Sequence, residues 1–208
     1  MEYEVRFYFS KSEKENIINK LNNIKDLKCS GTFYEKTTQY NSSDSNNDFY
    51  SKSIDGRYRV RITKGENETK CMLSWKRRLN DTKSGNVNKE EEIECRIDPR
   101  DYDNFIYLTE NVVKMIRVES YERYRTNYDN DEIEVSVDLY PFGLALEIEA
   151  KCDKNQEKIV EKYVKKLGLD LKDSYRLSWD DKYSELCESQ NIKKYSDVLF
   201  ENKDMPSM

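Results

Sequence analysis

Charge and apolar bulk alternate strictly at Glu2-Tyr3-Glu4-Val5-Arg6-Phe7. The same period returns at Tyr58-Arg59-Val60-Arg61-Ile62, Leu73-Ser74-Trp75-Lys76, Tyr124-Arg125, Val135-Ser136-Val137-Asp138 and Leu146-Glu147-Ile148-Glu149. Successive side chains of a strand point to opposite faces, so each segment carries one oily and one ionic face. One such segment would be an ordinary half-solvated strand. About seven of them occur here, and the ionic face is acidic in the first and last but basic in the middle. Repetition on that scale predicts a barrel with an ionic interior. Val5, Phe7, Leu73, Trp75, Val135, Val137 and Ile148 hold the opposite parity and belong on the outside, under helices.

Strands are expected at 2–9, 29–40, 57–63, 70–78, 90–97, 116–128, 132–139 and 144–150. Lys64-Gly65-Glu66-Asn67 turns the hairpin between the third and fourth of these, and Tyr140-Pro141-Phe142-Gly143 turns the last two. The polar run from Asn41 to Asp48 reads as a flexible loop, and 80–88 as a second mobile connection. Helices are predicted at 11–25, capped by Ser10 or Ser12, with Ile17, Ile18, Leu21 and Ile24 as the apolar stripe. Further helices are expected at 100–110 behind Pro99, at 155–167 ended by Gly168, and from Trp179 to Glu188. The fold class is mainly β (α+β): an eight-stranded antiparallel, closed β-barrel with helices packed outside and a C-terminal helical tail. Residues 1–176 form the barrel domain and 177–208 a C-terminal extension, either a helix sealing one mouth of the barrel or a contact in a homodimer.

Of the 208 residues, 37% are charged and 36% hydrophobic, with 16 Tyr and 7 Phe adding large amphipathic surfaces that can build a core. A net charge of −5 argues against broad nucleic-acid adhesion, so anion binding must come from local clusters. No stretch approaches the roughly 18 apolar residues that cross a bilayer, and the first residues lack a signal peptide's apolar core. The five cysteines are odd in number and share no C-x-x-C spacing, which reads as reduced thiols of a cytoplasmic protein. Histidine is absent altogether. That removes Ser-His-Asp and Cys-His triads, His-ligated zinc and imidazole acid–base chemistry. Carboxylates, Lys, Arg, Tyr and a hard metal ion are what remain.

Glu2/Glu4 and Glu147/Glu149 each lie two apart on one strand face. Two such pairs brought together supply oxygen ligands suited to Mg2+ or Mn2+, although one pair alone is equally a solvated strand face. Arg57/Arg59/Arg61, Lys76/Arg78 and Arg123/Arg125 project in the same way. Guanidinium forks bind phosphate oxygens bidentately, and a polyphosphate needs about this many cations, yet the same residues could simply pair with neighbouring Glu. Glu90, Glu92 and Glu94, and Glu134 with Asp138, supply carboxylates that orient the cations, because unpaired cations in one cavity repel. No P-loop, G-x-G-x-x-G or G-x-S-x-G motif is present.

Taken in order, Glu2-x-Glu4-x-Arg6, Arg59-Val60-Arg61, Leu73-Ser74-Trp75-Lys76, Glu92-x-Glu94, Arg123-x-Arg125 with Tyr128, Asp138, Gly143 and Glu147-Ile148-Glu149 resemble the CYTH proteins, the triphosphate tunnel metalloenzymes. Ser174-Tyr175 resembles the closing motif, so the likeness spans about 2–176. The resemblance implies a β-tunnel holding a triphosphate and a divalent cation. By carry-over Glu2, Glu4, Glu147 and Glu149 look like metal positions, while Arg59, Arg61, Lys76, Arg123 and Arg125 look like phosphate positions. The chain departs from the pattern where Arg6 replaces the usual lysine, where Glu90 replaces a basic residue, and where the His-Phe lead-in of the cyclase branch is missing.

The expected activity is that of a metal-dependent triphosphatase, a phosphoric anhydride hydrolase using Mg2+ or Mn2+, with Glu2, Glu4, Arg6, Glu147 and Glu149 at the catalytic end. Its substrate would be inorganic triphosphate, a nucleoside or other organic triphosphate, or an RNA 5′-triphosphate end, with no membrane partner. A class IV-type adenylate cyclase and a non-catalytic polyphosphate-binding module, the latter suggested by Arg6, are the alternatives.

Overall fold

A computed structural model describes residues 3–78, 90–152 and 154–208. Glu2 and the connection expected over 80–88 lie outside the described residues. Eight antiparallel strands run in the order β1 (Glu4–Phe9), β8 (Gly143–Ala150), β7 (Ile133–Tyr140), β6 (Ile116–Asp129), β2 (Lys28–Asn41), β3 (Gly56–Lys64), β4 (Thr69–Arg78) and β5 (Glu90–Ile97). A ninth, two-residue strand, β9 (Asp197–Val198), pairs parallel with β6 and was not expected. The helices are α1 (Lys14–Asn22), α2 (Tyr102–Tyr107), α3 (Gln156–Lys166) and α4 (Trp179–Ser189). Among the described residues β1 and β5 are not hydrogen-bonded to each other. The sheet therefore curls into a tunnel whose seam no ladder closes, where the alternation led us to expect a closed barrel.

Local chemistry sets the boundaries. Ser10 accepts the Ser12 amide (3.3 Å) and caps the turn that leads into α1. Asn130 accepts the amides of Glu132 (2.8 Å) and Ile133 (3.0 Å), which tightens the β6–β7 turn. Gly168 ends α3 with a φ of 72°, a left-handed conformation that glycine adopts without strain.

The oily parity faces outward. Val5, Phe7, Val135, Val137, Leu146 and Ile148 pack under α1 and α3 against Ile17, Leu21, Val160, Tyr163 and Val164. On the other flank Tyr40, Val60 and Cys71 form a smaller core, with Leu73 and the α2 residues Tyr102, Phe105 and Ile106 against it. Trp75 lies edge-on to Phe49. The ring leaves no room for a Cβ at Gly56, whose ideal position falls 2.2 Å from the indole.

A third core is built on the inward face. Tyr121, Tyr140 and Ala145, with Tyr8 alongside, pack against Trp179, Tyr183 and Cys187 of α4 and against Val198. Trp179 stacks on Tyr140 (ring centroids 6.2 Å apart, planes at 11°) and meets Tyr121 at 4.3 Å. The 177–208 segment thus fills one end of its own tunnel. Asp181 accepts the Ser178 amide (2.9 Å) and fixes the start of α4 there. No helix among the described residues is long and apolar enough to cross a membrane.

Tyr183 is fully buried in this third core. Tyr183→Ala is expected to lower unfolding free energy by about 3–5 kcal/mol, as for other large aromatic truncations. Urea denaturation of the full chain checks this, and an unchanged midpoint would mean that the tail adds nothing to the folded core.

Candidate functional site

The strand register, set by the outward cores, aligns the ionic parity of every neighbouring pair. Arg6 lies opposite Glu147 and Glu4 opposite Glu149. Arg125 lies opposite Asp138, and Arg123 opposite Glu35. Arg59 and Arg57 lie opposite Ser74 and Lys76, and those two opposite Glu94 and Glu92. The result is a cavity of about 320 Å3 lined by Glu4, Arg6, Arg57, Arg59, Arg61, Lys76, Glu92, Glu94, Arg123, Arg125, Glu134, Glu147 and Glu149. Tyr121, Tyr140, Ser178 and Trp179 form its end. Arg78 is described only by its backbone register, opposite Glu90.

One wall is a continuous chain of ion pairs. Arg6 binds Glu147 through Nε (2.8 Å) and Nη2 (2.7 Å), and reaches Glu4 at 3.2 Å. The other oxygen of Glu147 accepts from Arg125. Arg125 forks onto Asp138 (2.7 and 2.6 Å), which also takes Arg123 (2.8 Å). Arg123 ends on Glu35 (2.7 Å) and Tyr140 Oη (3.1 Å). Asp138 is fully buried, and Arg123 and Glu35 nearly so. Burial alone would lower these guanidiniums, but the facing carboxylates raise Arg6, Arg123 and Arg125 well above the usual arginine value. Burial would likewise raise Glu147, yet Arg6, Arg125 and Arg123 hold it far below the ordinary carboxylate range.

The β3 wall is different. Among the described residues Arg59 Nε is buried without a hydrogen-bond acceptor, and Arg61 Nε donates to a neutral hydroxyl, Thr37 Oγ1, at 3.3 Å. Lys76 pairs with Glu92 (3.0 Å). A buried donor with no acceptor is costly, and a multiply charged oxyanion in the cavity would satisfy it. Near the α4 end, Gln39 donates to Glu119. Burial and nearby Asp180 push the Glu119 carboxyl up to about 7, against the opposite pull of Lys194, Arg59 and Arg57.

Of the carboxylates predicted to hold Mg2+ or Mn2+, two are already engaged by a guanidinium, and Glu149 lines the cavity opposite Glu4. Glu4 and Glu147 share Arg6, Glu2 lies outside the described residues, and no group of three or more Asp, Glu, Cys or His side chains able to hold a metal occurs among the described residues. Glu35 and Tyr140 escaped the sequence reading, as did Tyr121, Ser178 and Trp179 at the end of the cavity. Glu35 sits beside Lys36, so only the register assigns its face. Tyr140 continues the parity of Asp138, which was the available signal.

Burial would raise the Glu35 carboxyl, but Arg123, Arg61 and Arg125 hold it at about 2 against an ordinary 4.5. Because folding lowers this pKa, the stabilisation is complete above 4.5 and disappears as pH falls through about 2. It amounts to on the order of 3 kcal/mol. Glu35→Gln should be less stable than the wild type at pH 7, with the gap closing on acidification. Parallel pH dependence of urea unfolding in both proteins would contradict this assignment.

No protein-family model matches the chain, and no curated protein matches its sequence. Solved structures do. A protein from Pyrococcus horikoshii OT3 aligns at 20% identity and a TM-score of 0.65, over 89% of this chain and 99% of that one. An adenylyl-cyclase candidate from Hippeastrum, whose structure is described as revealing a dominant triphosphatase activity, aligns at 17% and 0.58, over 93% and 98%. A chain of the Schizosaccharomyces pombe Mediator head module aligns at 11% and 0.56, over 79% and 91%. At these identities the likeness bears on architecture alone: this chain shares its fold with the Pyrococcus horikoshii protein, the Hippeastrum adenylyl-cyclase candidate and the Mediator chain.

Proposed function

We propose that the tunnel binds the triphosphate moiety of a small molecule and hydrolyses its terminal phosphoanhydride. The observation that carries this reading is the buried, acceptor-less Nε of Arg59 on a strand that presents Arg57, Arg59 and Arg61 to one cavity. Phosphate oxygens are the acceptors that such a row of forks fits. Arg57, Arg59, Arg61 and Lys76 would hold the chain of phosphates, with Arg123 and Arg125 opposite. Water would attack the terminal phosphorus in line; the bridging P–O bond breaks, diphosphate or the organic diphosphate leaves, and the water proton passes to a carboxylate on the cavity wall such as Glu94 or Glu134. Catalysis of this kind is positioning and charge stabilisation, so the lack of histidine is no obstacle. The five free thiols accord with a cytoplasmic setting.

The ion-paired Glu147 favours a second reading, a triphosphate-binding module without turnover. Both readings are separated by following inorganic triphosphate, nucleoside triphosphates and 5′-triphosphate RNA for bound ligand, free phosphate and cyclic nucleotide. Free phosphate is the expected product; tight binding without product supports the module, and cyclic AMP without phosphate a cyclase. Arg59→Ala and Arg61→Ala should each lower kcat/KM, or affinity where there is no turnover, by about 10- to 100-fold, the loss of one charge-assisted interaction. Wild-type values in both variants would remove the β3 wall from the site.

A further inference from the structure

We infer that Arg6 is a built-in cation: its guanidinium stands between Glu4 and Glu147, two of the four carboxylates predicted to hold a divalent metal ion, so this tunnel takes up a triphosphate without one. The inference rests on the triphosphate-binding reading above.

The placement follows from the backbone. Antiparallel pairing sets Arg6 directly opposite Glu147 and one strand step from Glu4, on the face that lines the cavity. The fork then grips Glu147 at 2.8 and 2.7 Å and Glu4 at 3.2 Å. Arg125 takes the second oxygen of Glu147, so both oxygens already accept from guanidinium. The polypeptide after α3 holds the clamp from behind: the Tyr175 amide donates to the Arg6 carbonyl (2.7 Å), and Arg6 Nη1 approaches the Leu177 carbonyl at 3.4 Å.

A divalent ion entering here would have to displace one guanidinium while lying beside another. The repulsion would act at short range in a buried site, where charges are poorly screened. A lysine at position 6 would present a single point charge with movable donors, whereas the planar fork engages two carboxylates at once. The substitution of Arg for Lys in the first motif is therefore a change of chemistry at this position.

Two titrations of the full chain test this. Mn2+ followed by its free-ion paramagnetic resonance signal should show no saturable binding to the wild type below about 1 mM, the weak end of carboxylate sites. Inorganic triphosphate followed by calorimetry should bind with the same Kd, within about threefold, in EDTA and in Mn2+. Arg6→Gln removes the cation held between Glu4 and Glu147, and should gain saturable Mn2+ binding at least about tenfold tighter than the wild type. Micromolar Mn2+ binding by the wild type, or triphosphate binding that needs Mn2+, overturns the inference. Should Arg6→Gln fail to fold, the wild-type titrations decide alone. If triphosphate binds in neither condition, the triphosphate reading falls, and the Mn2+ titration still decides the role of Arg6.

Discussion

A sheet that is oily on one face and ionic on the other can curl around its ionic face only if the buried charges are paired, because an unpaired charge in that setting costs several kcal/mol. The sequence of contacts Glu4–Arg6–Glu147–Arg125–Asp138–Arg123–Glu35 meets this condition across five strands. Four carboxylates (Glu4, Glu147, Asp138, Glu35) face three guanidiniums (Arg6, Arg125, Arg123) in that chain, so it is close to neutral and needs no ligand to stand. Asp138 is its keystone: fully buried, it is the carboxylate that Arg123 and Arg125 share.

The tunnel is consequently two walls with different duties. The β1–β8–β7–β6 wall spends its donors on internal carboxylates, while the β3 wall keeps at least one buried donor, Arg59 Nε, without an acceptor. Closure at one end comes from neither wall but from α4, whose Trp179 and Tyr183 meet inward-facing Tyr121 and Tyr140. The same strands therefore change character along their length, from ionic at Arg123 and Asp138 to aromatic at Tyr121 and Tyr140, two residues on.

Period-2 alternation made most of this legible in the sequence. Val5 and Phe7 against Glu4 and Arg6 leave no choice of face, and the same holds for Val135, Val137 and Asp138. Where both parities are polar, as at Glu35-Lys36-Thr37-Thr38, composition assigns no face, and only pairing with β6 and β3 does. Trp179, Tyr183 and Cys187 recur at i, i+4 and i+8 and mark a helix, but a stripe does not say what it covers. The seam between β1 and β5 was illegible for a related reason: alternation reports which way side chains point, not whether the first and last strands bond. Asp197–Val198 is too short to carry any period.

On the proposed reading, how the two walls would share a polyphosphate follows from what each already holds. Phosphate oxygens reaching Arg6 or Arg125 exchange with Glu147, so the gain there is a difference between two charge-assisted contacts and is small. At Arg59 the exchange is different in kind: a buried Nε without an acceptor gains a partner, and the desolvation penalty already incurred in folding is recovered. On that reading the paired wall would contribute shape and orientation, and the β3 wall most of the affinity. A guanidinium that is covalently part of the chain also cannot be stripped by chelators or exchanged for a different ion, which ties the state of this wall to the fold rather than to the metal content of its surroundings.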